Sequence, residues 1–128
     1  MNCGTFIELL DSLPVECDDY VIRFTPVNRD RIFESFVVKT NSNDICIECT
    51  NDYRCEIYAE VKSCTLKILR EELEVIGELG LHVFVTEWVY DADSDVDDNW
   101  VQFWDVKDMP LYVSKKRKRV DVFLEEYT

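Results

Sequence analysis

Residues 44–62 read DICIECTNDYRCEIYAEVK, and the way the two halves of this stretch pair sets the register of the sheet around them. From Tyr53 onward Cys55, Ile57, Ala59 and Val61 alternate with Arg54, Glu56, Tyr58, Glu60 and Lys62, the period of two expected of a half-buried strand. Ile45, Ile47 and Cys49 form a second apolar row ahead of it. A three-residue loop at 51–53 pairs Cys49 with Cys55, Ile47 with Ile57 and Ile45 with Ala59, so that every apolar side chain lies on one face. A two-residue loop mismatches the faces, because a one-residue slip moves a strand's whole apolar set to the other side. The reading is an antiparallel hairpin.

Upstream, DYVIRFTP and RIFESFVVKT carry the β-branched and aromatic content of strands. Thr5 followed by Glu8 has the form of a capping box, and with Phe6, Ile7, Leu9, Leu10 and Leu13 it predicts a short helix over 5–13, stopped by Pro14. Downstream the period changes. Leu66, Leu69, Leu73, Ile76 and Leu79 fall on one helical face, predicting a helix over 65–79 that ends near Gly80. LHVFVTEWVY and NWVQFWDV are apolar on both faces, as central strands covered on both sides would be. Of Trp88, Trp100 and Trp104, two are expected in the core. The tail LYVSKKRKRVDVFLEEY reads as two strands meeting at a basic turn, or as one long edge strand. The expected fold is a single α+β domain over 1–128, a mainly antiparallel sheet of about six to seven strands with two helices packed on it.

Charge narrows the function. Fourteen Lys and Arg against 27 Asp and Glu leave a net charge of −13, which repels phosphate and anionic membranes and argues against direct nucleic-acid or membrane binding. The acid is concentrated: residues 71–108 hold twelve carboxylates and one base, Lys107, whereas 114–120 carry +5. No apolar run approaches the roughly 20 residues that span a bilayer, and the N-terminal stretch is acidic where a secretion signal is basic. An intracellular chain with reduced thiols is expected. KKRKR at 115–119, Lys115 to Arg119, has the form of a nuclear address in a eukaryotic host, and equally of a hairpin tip or a guarded edge strand.

Four constellations have the residue types of a site. Asp91, Asp93 and Asp95 stand at the alternating positions of an EF-hand calcium loop, but Val96 replaces its turn glycine and Gln102 its bidentate glutamate. Cys46, Cys49, Cys55 and Cys64 have zinc-ligand chemistry, yet Cys46 and Cys49, three apart on a strand, point to opposite faces. His82 is the only histidine, so any triad must use it, and the three glycines build no phosphate-cradling loop.

The fourth constellation is the opening stretch. Asp44 at a strand start, a hairpin, then Glu60-Val-Lys62 on the next strand and a helix after it resemble the core of the PD-(D/E)xK nucleases. The resemblance implies a divalent metal held by Asp44 and Glu60, water activated beside Lys62, and Glu8 as an extra carboxylate. Asn43 stands where that motif has proline, and Asp105-Val-Lys107 repeats the short pattern.

The reading preferred on charge is a non-catalytic interaction protein that needs no cofactor. Its contacts are Asp91, Asp93, Asp95, Asp97 and Asp98, extended by Glu74 and Glu78 on the second helix beside Glu71 and Glu72. Carboxylates so arrayed imitate a phosphate backbone and suit a basic partner, a nucleic-acid-binding enzyme or a toxin. In type, the composition is similar to toxin-immunity proteins and to phage or viral DNA-mimicking inhibitors, anti-CRISPR proteins included.

Overall fold

The computed structural model describes residues 1–27, 32–90 and 99–127. Helix α1 (Cys3–Asp11) begins at Asn2, whose side chain accepts the Thr5 N–H at 2.8 Å. The expected capping box at Thr5 is therefore displaced by an Asx cap three residues earlier, and Thr5 is already helical. Helix α2 (Leu66–Ile76) starts under Thr65, whose hydroxyl accepts the Ile68 N–H. It stops at Gly77, not near Gly80, because Gly77 takes φ 70°, the left-handed conformation that ends a helix and suits a residue without Cβ.

Seven strands, β1 (Val21–Pro26), β2 (Ser35–Thr40), β3 (Asp44–Cys49), β4 (Lys62–Ser63), β5 (His82–Tyr90), β6 (Asn99–Ser114) and β7 (Arg119–Glu126), form one sheet ordered β1-β7-β6-β5-β3-β2-β4. Four of the six strand pairs are antiparallel; β1 with β7 and β3 with β5 are parallel. The sheet curls until its ends meet, Phe24 and Phe33 exchanging backbone bonds of 2.8 and 2.9 Å and the Ile22 N–H reaching the Cys64 carbonyl. Inside the curl lie Ile22, Phe24, Phe36, Ile45, Ile47, Val83, Val85, Trp104, Val122 and Leu124, closed over by Phe6 and Leu10 of α1 and Leu69 and Leu73 of α2. This is the expected α+β domain.

The opening hairpin is not what forms. β3 pairs with β2 on one side and runs parallel to β5 on the other, Ile47 opposite Val85, so no edge is left for residues 53–61. Those residues make a turn and a 3-10 turn (Glu56–Ala59), with Cys55 and Ile57 buried and their neighbours exposed. Alternating burial by itself does not distinguish a strand from this arrangement. The competing pairing wins because Val83 and Val85 are wholly buried and complete a continuous apolar layer with β3.

Two further expectations change. β5 is central, but only one of its faces is covered by the helices. On the other, Phe84 packs edge-on against Phe103 and Tyr127 at centroid distances of 5.6 and 4.9 Å and stacks beside His82, an aromatic cluster at the surface. Of the tryptophans, Trp104 is core and Trp88 half-buried, while the Trp100 side chain lies outside what is described. The tail takes the first of its two readings: β6 and β7 meet at a turn over 115–118, with Lys118 at φ 52°, and β7 lies between β1 and β6 rather than at an edge.

Candidate functional site

The acidic residues occupy two places. Glu71, Glu72 and Glu74 stand on the solvent side of α2 and Glu78 just beyond it, all exposed; Lys67 approaches Glu71 at 3.8 Å one turn away. Asp91, Asp93, Asp95, Asp97 and Asp98 lie outside the described residues, and the calcium reading of that loop lies there with them. Where the loop attaches is described: the chain leaves β5 at Tyr90 and re-enters β6 at Asn99, opposite each other in the ladder. Glu78 precedes the first residue of β5 and the loop follows its last, so the length of β5, about 26 Å at 3.3 Å per step, separates the two attachments. The expected continuation of the α2 carboxylates into the surface of Asp91 to Asp98 falls on residues outside those described.

A compact structure supports the loop end. The Thr50 hydroxyl donates to the Trp88 carbonyl at 2.7 Å and accepts the Asp52 N–H. Asp52 then accepts the Arg54 backbone N–H at 3.0 Å and both arms of its guanidinium at 2.9 and 2.8 Å. The Arg54 guanidinium in turn lies 4.4 Å from the Tyr90 ring centre. Tyr53, Trp88 and Tyr90 complete the wall of an open cavity of about 470 Å³. Nothing in the sequence pointed to Asp52, Arg54 or Tyr90 as a unit, since the pairing of β5 with β3 brings them together.

The hydrogen bonds from Arg54 hold the Asp52 carboxyl down at about 2, below its ordinary 3.8. A depressed value means the pair stabilises the fold fully above pH 3.8 and that this contribution is lost as pH falls through 2. In Asp52→Asn this segment of the pH–stability curve should flatten, with a loss at neutral pH of less than about 1 kcal/mol because the pair is solvent-screened. Calorimetric melting of both proteins from pH 2 to 7 measures it; parallel curves would show that the pair carries no such linkage.

The nuclease residues are not brought together. Asp44 accepts from the Asn41 amide at 2.9 Å at one end of β3, whereas Glu60 is drawn to Lys39, 3.1 Å away, which also reaches Glu48 at 3.3 Å. Lys62 is on β4 opposite Phe36, with β2 between it and β3. Two strand spacings and several steps, about 15–20 Å of sheet, lie between Asp44 and Lys62. The hairpin that would have stacked them is absent, and Glu8 is exposed on α1. Among the described residues no three His, Cys, Asp or Glu side chains converge as metal ligands would.

Cys46 and Cys49 diverge across β3, Cys46 toward Asp44 and Asn41 and Cys49 into the core. All six cysteines are free and buried. Burial raises the thiols of Cys3, Cys17 and Cys49 and pushes Cys46 to about 12 and Cys64 to about 11. With all six thiols buried, native protein should react only slowly with Ellman's reagent and release all six equivalents once unfolded in guanidinium. Rapid native reaction would contradict this.

The Asp105 carboxylate lies 3.0 Å from His82 Nε2 and accepts its N–H, an imidazole–carboxylate pair between β5 and β6 beside the surface aromatic cluster. The basic run forms the turn at the far end of β6, with Lys115 3.6 Å from Glu16. Among the described residues no helix is long and apolar enough to cross a membrane. Neither a family model, nor a curated protein, nor a solved structure matches the chain.

Proposed function

We propose that this chain is a non-catalytic acidic interaction protein, an inhibitor or decoy that binds the basic surface of a nucleic-acid-handling protein. The observation that carries this reading is the separation of charge along one strand. The five aspartates of 91–98 precede β6 and the five bases of 115–119 follow it, so the acidic and basic runs adjoin opposite ends of one strand in the chain. A molecule of −13 with its charge so divided is turned by a basic partner's field before contact, which raises association rates. The exposed carboxylates of α2 add to the net attraction from the flank.

Affinity capture from a host extract at 50 mM and 500 mM salt, each with and without added duplex DNA, tests the proposal. The expected result is capture of a nucleic-acid-handling protein that is lost at the higher salt and released by the duplex. A specific partner indifferent to both salt and DNA would overturn it.

A further inference from the structure

β2 has two edges, and only one is fully used. Toward β3 it pairs from Phe36 to Thr40; toward β4 it pairs through Ser35 and Phe36 alone. Beyond Phe36, no strand among the described residues adjoins this second edge. The Asn41 N–H donates to the Asp44 carbonyl at 2.8 Å, which sets the parity of the ladder. By alternation Lys39 and Val37 bond toward β3, and Val38 and Thr40 direct their backbone N–H and C=O groups away from it. An open edge of this kind is a template for another strand.

Beside this edge lies an open groove. Helix α2 runs alongside β2, leaving a channel of about 390 Å³ with Val38 and Thr40 on one wall and Ile68 and Val75 on the other. A second hollow of about 270 Å³ shares Ile68 and continues the channel toward Phe36. Ile68 is 40% and Val75 87% exposed, so the helix presents apolar side chains here that the core does not use. Glu71 and Glu72 rim the channel and no cation stands within ion-pair distance of Glu72 among the described residues. Lys62 and Glu60 stand at the far end, where Glu60 pairs with Lys39 at 3.1 Å.

We infer that this groove binds an extended basic peptide segment of a partner protein, which adds to β2 as a further strand between Val38–Thr40 and α2. The backbone groups of Val38 and Thr40 supply the ladder hydrogen bonds. Alternate apolar side chains of the guest pack against Ile68 and Val75, and its Lys or Arg residues meet Glu71 and Glu72. The inference rests on the reading of the chain as a binder of basic proteins and names where one segment of such a partner sits. Charge selects the occupant: an acidic or neutral strand would leave Glu72 without a counter-ion, and a second copy of this −13 chain would be repelled.

The test uses the ¹⁵N-labelled protein and a capped octapeptide of alternating valine and arginine. The expected result is a slowing of hydrogen exchange by about tenfold or more at the Val38 and Thr40 amides. Binding should be at least tenfold weaker for the same peptide N-methylated on alternate residues and for Thr40→Pro, each of which removes a ladder donor, and absent for a valine–glutamate peptide. Lysine at Glu71 and Glu72 should weaken binding similarly. Glu74→Lys and Glu78→Lys should leave the two amides protected.

Unprotected Val38 and Thr40 amides, or equal binding of the N-methylated peptide, would overturn the inference while leaving the wider proposal to the capture experiment. So would a helical bound peptide, or protection already present in the protein alone and rising with its concentration, which would make a second copy the occupant. A partner captured in a salt- and DNA-sensitive way that Thr40→Pro binds normally separates failure of this site from failure of the proposed function.

Discussion

Trp104→Ala will destabilise the fold by about 3–5 kcal/mol, the cost of deleting a large aromatic side chain from a packed core. Trp104 is 1% exposed and is the largest of the fully buried side chains. It sits on β6, opposite Val85 of β5 and Glu126 of β7, one strand from the middle of the seven-stranded sheet. The residues around it, Val85, Val106 and Leu124, are held by strand pairing on both sides and have little freedom to collapse into the space left. A domain of this size has a total stability of about 5–15 kcal/mol, so the melting temperature should fall by roughly 10–20 °C. Trp104→Phe, which keeps an aromatic ring there, should cost about half as much. Urea unfolding of the three proteins measures the series. A loss below about 0.5 kcal/mol for the alanine variant would mean the position behaves as surface, and the described core would be wrong.

Reversing Glu74 and Glu78 to lysine is the corresponding functional experiment. Two reversals add four units to a net charge of −13, and so do the reversals of Asp93 and Asp95. Glu74 and Glu78 precede β5 in the chain and Asp93 and Asp95 follow it, so equal changes in total charge report on different segments. Whichever pair faces the basic partner should slow association by about tenfold at low salt, and the other by far less, because steering depends on the local field at the docking face. The difference should vanish near 1 M salt, where the Debye length is about 3 Å. Stopped-flow association across a salt series measures both. Unchanged rates in both variants at low salt would remove the acidic-surface proposal.

The site readings depended unequally on sequence. Cys46 and Cys49 could be assigned to opposite faces because that question is local, settled by strand alternation. The grouping of Asp44, Glu60 and Lys62 required a particular pairing partner for β3, and that partner is β5 instead. The Asp52–Arg54–Tyr90 support and the β2 groove had no signal in the sequence, since their walls come from elements 38 residues or so apart, brought together by the parallel β3–β5 pair and by α2 lying along β2.

What the sequence determined by itself was whatever one element decides from its own residues. Leu66, Leu69 and Leu73 made α2 a helix with a single buried face, Val83 and Val85 made β5 a core strand, and the charge followed from composition. Tertiary structure decided the choice between pairings that are locally equivalent. Residues 53–61 alternate as a strand would, but a strand needs a free edge, and the edge of β3 is taken by β5 through a crossover containing α2. Joining β3 to β5 buries Ile45, Ile47, Val83 and Val85 together beneath the helices. That joint burial belongs to residues distant in the chain, so no short stretch could have expressed it.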